Sequence, residues 1–544
     1  MVLDAHNPVN RRLVNNEKKD PSLTNQLCAE LRVIVGDEYL LTDARSRLFY
    51  SHDVYSRGIQ ALAVAQPANT QELAALVGCT VAAGCAVVPR GGGMSYTGGY
   101  LPVEEHTVVI DMLRMDHVLE VSQEDMYVTV ECGCTWEKLY KSLLKTGLRT
   151  PFWGPLSGLK ATVGGGLSQN SVFWGSGQYG SAADSVLSLD VVLADGSVLS
   201  TGSASQRNSN PFFRHYGPDL TGLFTSDTGA LGFKATATLP LIPDLPAKEY
   251  LAFDFEDAAS AIAAMSDVAR HKLAMECFAF DPFLQRQRMK RQSLSTDVKA
   301  LAGVMKSSGT VFKAIVDGAR VAMAGRGYMD DVAFSVQFIV EDRNKAAAAD
   351  RAANIRKLCA AHSCKEIENS IPKITRSNPF GPLNSMLGPA GERWLPIHGL
   401  FPHSRIQQAY LAVEALFDKH RQRSEKLGIG IGYLFATVST NGFIMEPVFF
   451  WPDEIEAIHI ATVETDHLAR LKGFPANPEA REMVAFLRAE LIELLTELGA
   501  VHNQIGKSYR YGEALRPAAW DLVKSLKKVL DPTARINPGS LGLD

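Results

Sequence analysis

Apolar and polar positions along the chain fall into two textures. Between residues 61 and about 243, short β-branched runs such as AVVPRGGG (86–93), HTVVIDM (106–112) and YVTVECG (127–133) read as strands. Amphipathic stretches separate them, QELAALVGCTVAAG (71–84) and TWEKLYKSLLKTG (135–147), and these read as helices. In LSLDVVLADGSVLS (187–200) an Asp-Gly pair sits between two apolar runs, a hairpin signal. Beyond LPLIPDLP (239–246) the glycine clusters thin out. Ala-rich helical patterns follow at 257–272, 344–361, 407–426 and 479–499, interleaved with the strand-like runs VAFSVQFIVED (332–342) and GFIMEPVFFW (442–451). The proline pair Pro243 and Pro246 marks the expected boundary. The second unit is expected to be an antiparallel sheet backed by helices that covers a ligand held by the first. Ahead of both, Leu27, Leu31, Ile34 and Val35 recur at helical spacing in an N-terminal arm, residues 1–55.

Composition narrows the class. The chain has 544 residues, 46% hydrophobic and 21% charged, which is ordinary for a globular protein and excludes disordered, collagen-like and coiled-coil chains. Its 55 Lys and Arg against 59 Asp and Glu leave a net charge of −4, so no basic field is available to hold nucleic acid. The eight cysteines, at 28, 79, 85, 132, 134, 277, 359 and 364, follow neither zinc-knuckle spacing nor a dense disulfide framework, and are expected to be reduced thiols. The N-terminus lacks the apolar core of a signal peptide and no run of about 18 apolar residues occurs, so a soluble, cytoplasmic protein is expected. The basic stretch 284–328 reads first as a solvated helical face, with peripheral membrane contact or a redox partner as the sharper reading.

The chemistry is concentrated in glycine turns. In VVPRGGGMSYTGG (87–99) an apolar strand runs into three glycines, whose backbone approaches an anion closely and presents N–H groups to a diphosphate. It has neither the lysine of a P-loop nor the G-x-G-x-x-G of a nicotinamide site. A second triplet lies in GPLSGLKATVGGGLSQNSVFWGSGQYG (154–180), and DTGALGF (227–233) makes a third small-residue turn before the strand FKATATLPL. Three such turns, each beside a strand, suit one long ligand with a diphosphate at its centre.

The order P-R-G-G-G, G-x-x-A-T-V-G-G, Y-G, V-L-A-D-G and T-G-A-L-G resembles the FAD-binding domain of the vanillyl-alcohol oxidase and p-cresol methylhydroxylase (PCMH) flavoprotein superfamily. The tail LDPTARINPGSLGL (530–543) resembles the segment by which that family returns to its flavin domain. The resemblance implies an α+β fold: a PCMH-type FAD-binding domain of two subdomains (56–243), a substrate or cap domain with antiparallel sheet and helices (244–500), and a returning C-terminal segment (501–544). It implies FAD in extended form. Pro89, Arg90, Gly91, Gly92, Gly93, Met94, Ser95 and Tyr96 would surround the diphosphate, and Pro155, Thr162, Gly164, Gly165, Tyr179 and Gly180 the ribityl and ring side. Gly229, Leu231 and Gly232 would approach the adenine half, with Asn537 reaching back from the tail. Relatives that attach FAD through a histidine in the first loop have it where this chain has Met94, and the run 442–451 has none, so non-covalent FAD is expected.

In the D-lactate dehydrogenase branch, paired cap histidines hold a divalent metal. Here the matching stretch offers only Glu446, too few ligands for a metal site. A later element survives as VHNQIGKSYRYG (501–512), where the resemblance places His502 as the candidate base, with Lys507, Tyr509 and Arg510 as donors to an oxyanion or phenolate. Hydrogen bonding to a flavin rim or loop carbonyl is the plainer role for His502. Tyr96, Tyr179, His398, His403 and Arg405 are second-tier candidates, and Phe435, Phe443, Phe449, Phe450 and Trp451 form either an apolar substrate pocket or ordinary core. The expected activity is hydride transfer from a hydroxylated small molecule, an aryl alcohol or alkylphenol, to flavin, with oxygen or a redox carrier as acceptor and a homodimer as the family's common state. A D-2-hydroxy acid dehydrogenase and a non-redox transferase resembling alkyldihydroxyacetonephosphate synthase stand as alternatives.

Overall fold

The computed structural model describes residues 21–291 and 331–544. Most of the basic stretch 284–328 therefore lies outside the described residues; its start is the end of a helix, Pro282–Arg291. The chain divides into two compact units. One holds residues up to Ser171, Ala182–Pro243 and His502–Asp544; the other holds Val172–Ser181 and Asp244–Val501.

The first unit is built on two sheets. Strands β1 (Leu40–Leu41), β2 (Ala63–Ala65), β3 (Ala86–Arg90) and β4 (Thr107–Asp111) pair in the order β1-β2-β4-β3. The β2, β3 and β4 runs are parallel and apolar along their centres because both faces of such a sheet are covered. Helices Pro21–Val35 and Thr70–Ala82 cover one face, with Leu27, Leu31, Leu73, Leu76 and Val77 buried in one core with Val87, Val108 and Ile110, while Val64, Val88 and Val109 on the other face pack with Leu41 and Tyr50. Strands β5 (Val118–Ser122), β6 (Tyr127–Glu131), β8 (Ser188–Val192), β9 (Val198–Ser200) and β10 (Phe233–Pro240) form an antiparallel sheet ordered β5-β6-β10-β8-β9. The expected Asp-Gly hairpin joins β8 to β9. Gly196 takes φ 81° there, and the Asp195 carboxylate accepts the Ser197 amide at 2.9 Å. A short pair, β7 (Leu148–Arg149) with β11 (Ile242–Pro243), completes the unit.

The second unit is one antiparallel sheet of β12 (Ala247–Phe255), β13 (Glu276–Phe280), β14 (Phe334–Asp342), β15 (Cys364–Glu366), β16 (Arg393–Pro396), β17 (Gly399–Phe401), β18 (Gly430–Val438) and β19 (Gly442–Trp451). Its order is β15-β12-β14-β13-β18-β19-β16, with β17 also on β19. Helices Ala258–Arg270, Lys345–Ala360, Ile406–Lys426 and Pro478–Glu497 fall where the periodicity predicts them, and Asp257, Asn344 and Asn477 cap three of them through their side-chain oxygens. Register gives the sheet two unlike faces. Cys277, Phe338, Phe435, Phe443 and Phe449 point to one, where Phe435 meets Tyr410 (5.9 Å) and Phe449 meets Phe417 (5.7 Å) of helix Ile406–Lys426. Most of the aromatic cluster is thus core packing against a helix. No helix among the described residues is long and apolar enough to cross a membrane, and no disulfide joins the eight cysteines.

Candidate FAD-binding site

In the first unit, chain segments far apart in sequence converge. A Cβ on Gly91 would lie 2.4 Å from Thr162 Oγ1, and one on Gly92 would lie 1.8 Å from the Lys160 carbonyl, so the first two glycine turns pack backbone to backbone. Gly93 takes φ 73°, closing the first turn. The third turn joins them. Thr228 N–H donates to the Ser168 carbonyl (2.9 Å), and a Cβ on Gly229, at φ 68°, would lie 2.7 Å from Pro89.

The tail locks this arrangement. Asn537 is 1% exposed and donates from Nδ2 to the carbonyls of Gly99 and Thr228, both at 2.8 Å, while Oδ1 accepts from Lys507 Nζ at 2.7 Å. Lys507 also donates to the Leu101 carbonyl (3.0 Å), and burial pulls its pKa down to about 7. Gly506 N–H donates to Thr228 Oγ1 (3.2 Å) and Gln504 Nε2 to the Tyr96 hydroxyl (3.0 Å). Lys527, equally buried, binds Asp531 (2.6 Å) and the carbonyls of Ala230 and Ile536. Beneath the third turn lies an ion pair, Asp227 with Lys234 at 2.7 Å, each side chain 2% exposed.

Donor inventory decides which turn can hold an anion. The amides of Gly91, Gly92, Gly93, Met94 and Ser95 donate to no protein acceptor among the described residues. Five successive free N–H groups on a turn, beside Gly93 in the left-handed region, are the donor set an anionic diphosphate requires. In the second triplet the amides are engaged: Gly164 donates to the Cys132 carbonyl, Gly165 to Thr162 Oγ1 at the helix N-cap, and Gly166 to the Thr162 carbonyl. Its glycines serve close packing, since Cβ atoms on Gly164 and Gly166 would lie 2.7 Å from Cys132 and 2.6 Å from Trp136. Arg90 turns its guanidinium inward over Tyr50 (4.5 Å), Phe49 and Tyr100, so its side chain braces the loop from behind. The residues fit FAD at its diphosphate.

The remaining candidates distribute as follows. Pro155, Leu231, Gly232 and Met94 lie in the first unit with the turns above, whereas Tyr179 and Gly180 belong to the Val172–Ser181 segment of the second. There Ser176 accepts from Ser439 N–H (2.8 Å) and Gly175 N–H donates to Glu276. His502 stacks on Tyr509, ring centroids 4.0 Å apart, in the first unit; Tyr509 is buried, and Arg510 is exposed beside Glu513 (3.5 Å). His403 sits between Ser266 Oγ (3.0 Å) and the Thr440 carbonyl (3.1 Å), which is a structural bridge, and His398 is buried. Arg288 and Glu446 of the second unit carry chemistry that no motif pointed to together; the one sequence signal is a carboxylate interrupting an apolar ten-residue strand.

A family model described as an FAD binding domain matches residues 61–202. The chain is similar to the glycolate oxidase subunit GlcD of Bacillus subtilis, 29% identical over 253 residues, which is 46% of this chain and 52% of that protein. The matched stretches span about half the length of the curated relatives. Among solved structures it is similar to p-cresol methylhydroxylase with substrate bound, TM-score 0.72 and 16% identity, covering 96% of this chain and 98% of that one. It is also similar to alkyldihydroxyacetonephosphate synthase, TM-score 0.68 and 17% identity, covering 96% and 86%. Residues 61–202 thus carry an FAD-binding domain, FAD is the cofactor, and the fold is the one seen in p-cresol methylhydroxylase.

Proposed function

We propose that this protein is an FAD-dependent oxidoreductase acting on a hydroxylated organic substrate, in the first reading an aryl alcohol or alkylphenol. The observation that carries it is the run of five free amides from Gly91 to Ser95 at the meeting point of three glycine turns. Bound FAD supplies a hydride acceptor, and the protein's part is binding, orientation and proton management. The free amides hold the diphosphate, and the Asn537–Lys507 lock fixes the turns that carry them. His502 takes the proton of the substrate hydroxyl, with Tyr509 stacked against its ring to limit the ring's tilt. Arg510, exposed beside Glu513, is the cation assigned to meet a phenolate or carboxylate, because Lys507 is committed to the tail. Met94 in the first loop supports non-covalent attachment. A 2-hydroxy acid is the second reading, favoured by the similarity to a protein named as a glycolate oxidase subunit.

The test is anaerobic rapid mixing of the purified protein with candidate alcohols, phenols and hydroxy acids while flavin absorbance is followed. Bleaching by one class supports the reading and names the substrate. Replacing His502 with Ala should then slow reduction by about two to four decades. If no hydroxylated compound bleaches the flavin, a non-redox transfer takes the place of the oxidoreductase reading.

A further inference from the structure

The face of the second unit's sheet turned away from helix Ile406–Lys426 is unusual for a core surface. Register places Glu446, Leu434, Phe280 and Ser335 in one cross-strand row, and Ile444, Ala436, Phe278 and Gln337 in the next. Arg288, on helix Pro282–Arg291, reaches over this surface with its guanidinium carbon 4.4 Å from the centre of the Phe280 ring. Phe278 and Phe280 adjoin at 5.5 Å, and Phe173 packs on Phe278 at the same distance.

The polar groups on this apolar floor are unsatisfied. Gln337 and Ser335 are fully buried, yet both amide atoms of Gln337 and the Ser335 hydroxyl find no hydrogen-bond partner among the described residues. Arg288 Nε is equally without one. Glu446 and Arg288 feel each other's charge, but neither a hydrogen bond nor an ion pair joins them. Burial raises the Glu446 pKa to about 7 and lowers that of Arg288 to about 10, with the partner's charge opposing the shift in each case. Buried polar side chains are almost always hydrogen-bonded in folded proteins, because leaving them unpaired costs about 1–3 kcal/mol each. Four unsatisfied groups around two phenyl rings therefore have the composition of a ligand site: an apolar bed with a few converging polar atoms.

We propose that this sheet face binds an organic anion that also carries a hydroxyl on an aromatic body. Arg288 takes the anionic oxygen atoms, with Ser335 and Gln337 as neutral partners. Phe278 and Phe280 bed the ring, and Glu446 accepts the hydroxyl. A guanidinium pairs with a planar carboxylate through two parallel N–H donors. A substrate bearing both groups would bridge the gap between Arg288 and Glu446 that the side chains leave unclosed. The inference deepens the oxidoreductase reading, on which it rests for its claim that the ligand is the substrate. It narrows that substrate to an aryl hydroxy acid.

Equilibrium titration of the oxidised holoenzyme with two non-reacting or slowly reacting probes, phenylacetate and benzyl alcohol, tests it without turnover. Arg288→Met should weaken phenylacetate binding by about tenfold to a hundredfold, the worth of a charge-assisted hydrogen bond, and leave benzyl alcohol within about twofold. Glu446→Leu should do the reverse, weakening benzyl alcohol by about tenfold and tightening phenylacetate by removing a like charge. Arg288→Lys and Glu446→Gln, which conserve size and polarity, give the same signs at smaller amplitude and stand in if the first pair misfold. Equal effects of both substitutions on both probes, or no binding of phenylacetate to the wild type, overturn the proposal. That result would be separate from failure of the oxidoreductase reading, which rests on flavin bleaching.

Discussion

Replacing Asn537 with Ala removes three hydrogen bonds at once, and the structure sets their size. Two are neutral, from Nδ2 to buried carbonyls of two different turns, and one is charge-assisted, from Lys507 Nζ to Oδ1. At about 1 kcal/mol for each neutral bond and about 1.5–3 for the charged one, the loss is about 3.5–5 kcal/mol. Asn537 also sits at φ 44°, in the left-handed region where Ala is strained by about 1 kcal/mol. Against a domain stability of about 5–15 kcal/mol, this is a large share. For a unit of this size each kcal/mol shifts Tm by about 2–4 °C, which predicts a fall of about 10–20 °C. Flavin release followed by fluorescence during a thermal ramp measures it. Asn537→Gly, which relieves the backbone strain but not the lost bonds, should recover only a few degrees. A drop of less than about 3 °C for Asn537→Ala would refute the claim that this side chain locks the glycine turns together.

Further outcomes follow from other parts of the same unit. Gly92→Ala places a methyl 1.8 Å from the Lys160 carbonyl, a backbone atom that cannot swing aside, and should weaken FAD binding by about tenfold to a hundredfold in a titration of the apoprotein. Asp227→Ala strands the Lys234 ammonium in the core and should cost about 3–5 kcal/mol in urea unfolding, whereas the double change Asp227→Leu with Lys234→Met should lie near the wild type. Because the folded-state pKa of Lys507 lies below its unfolded value, the unfolded chain binds more protons between pH 7 and about 10. Its contribution to stability therefore rises with pH across that window. The stability difference between wild type and Lys507→Met should grow in favour of the wild type from pH 7 to pH 8.5, and a flat difference would contradict the assignment.

Much of this architecture is legible from local pattern. The Asp195-Gly196 turn, the capped Ala-rich helices and the texture change at Pro243 are short-range signals; the units change at Pro243 and also after Ser171, Ser181 and Val501. The glycine turns are legible as turns, but their division of labour is not. The first leaves five successive amides without a protein acceptor among the described residues, whereas those of the second close on Thr162 at the helix N-cap and on the Cys132 carbonyl, some 30 residues away. The excursion of Val172–Ser181 into the second unit has no local signal at all, since Gly175 and Ser176 find their partners at Glu276 and Ser439. The aromatic run 442–451 hides its own chemistry in the same way. Phe449 packs on helix Ile406–Lys426 and Phe443 on Phe435 and His403, while Glu446 shares the other face with Ser335 and Gln337 only through the pairing of four strands.

The most direct test of the central claim is a calorimetric titration of the apoprotein with FAD and with riboflavin, which lacks the diphosphate. Anion binding by the Gly91–Ser95 amides predicts one FAD per chain and at least a hundredfold weaker binding of riboflavin, the loss of two or more charge-assisted hydrogen bonds. Equal affinity for the two would mean that these amides hold no diphosphate, and the account of the site would fall with them.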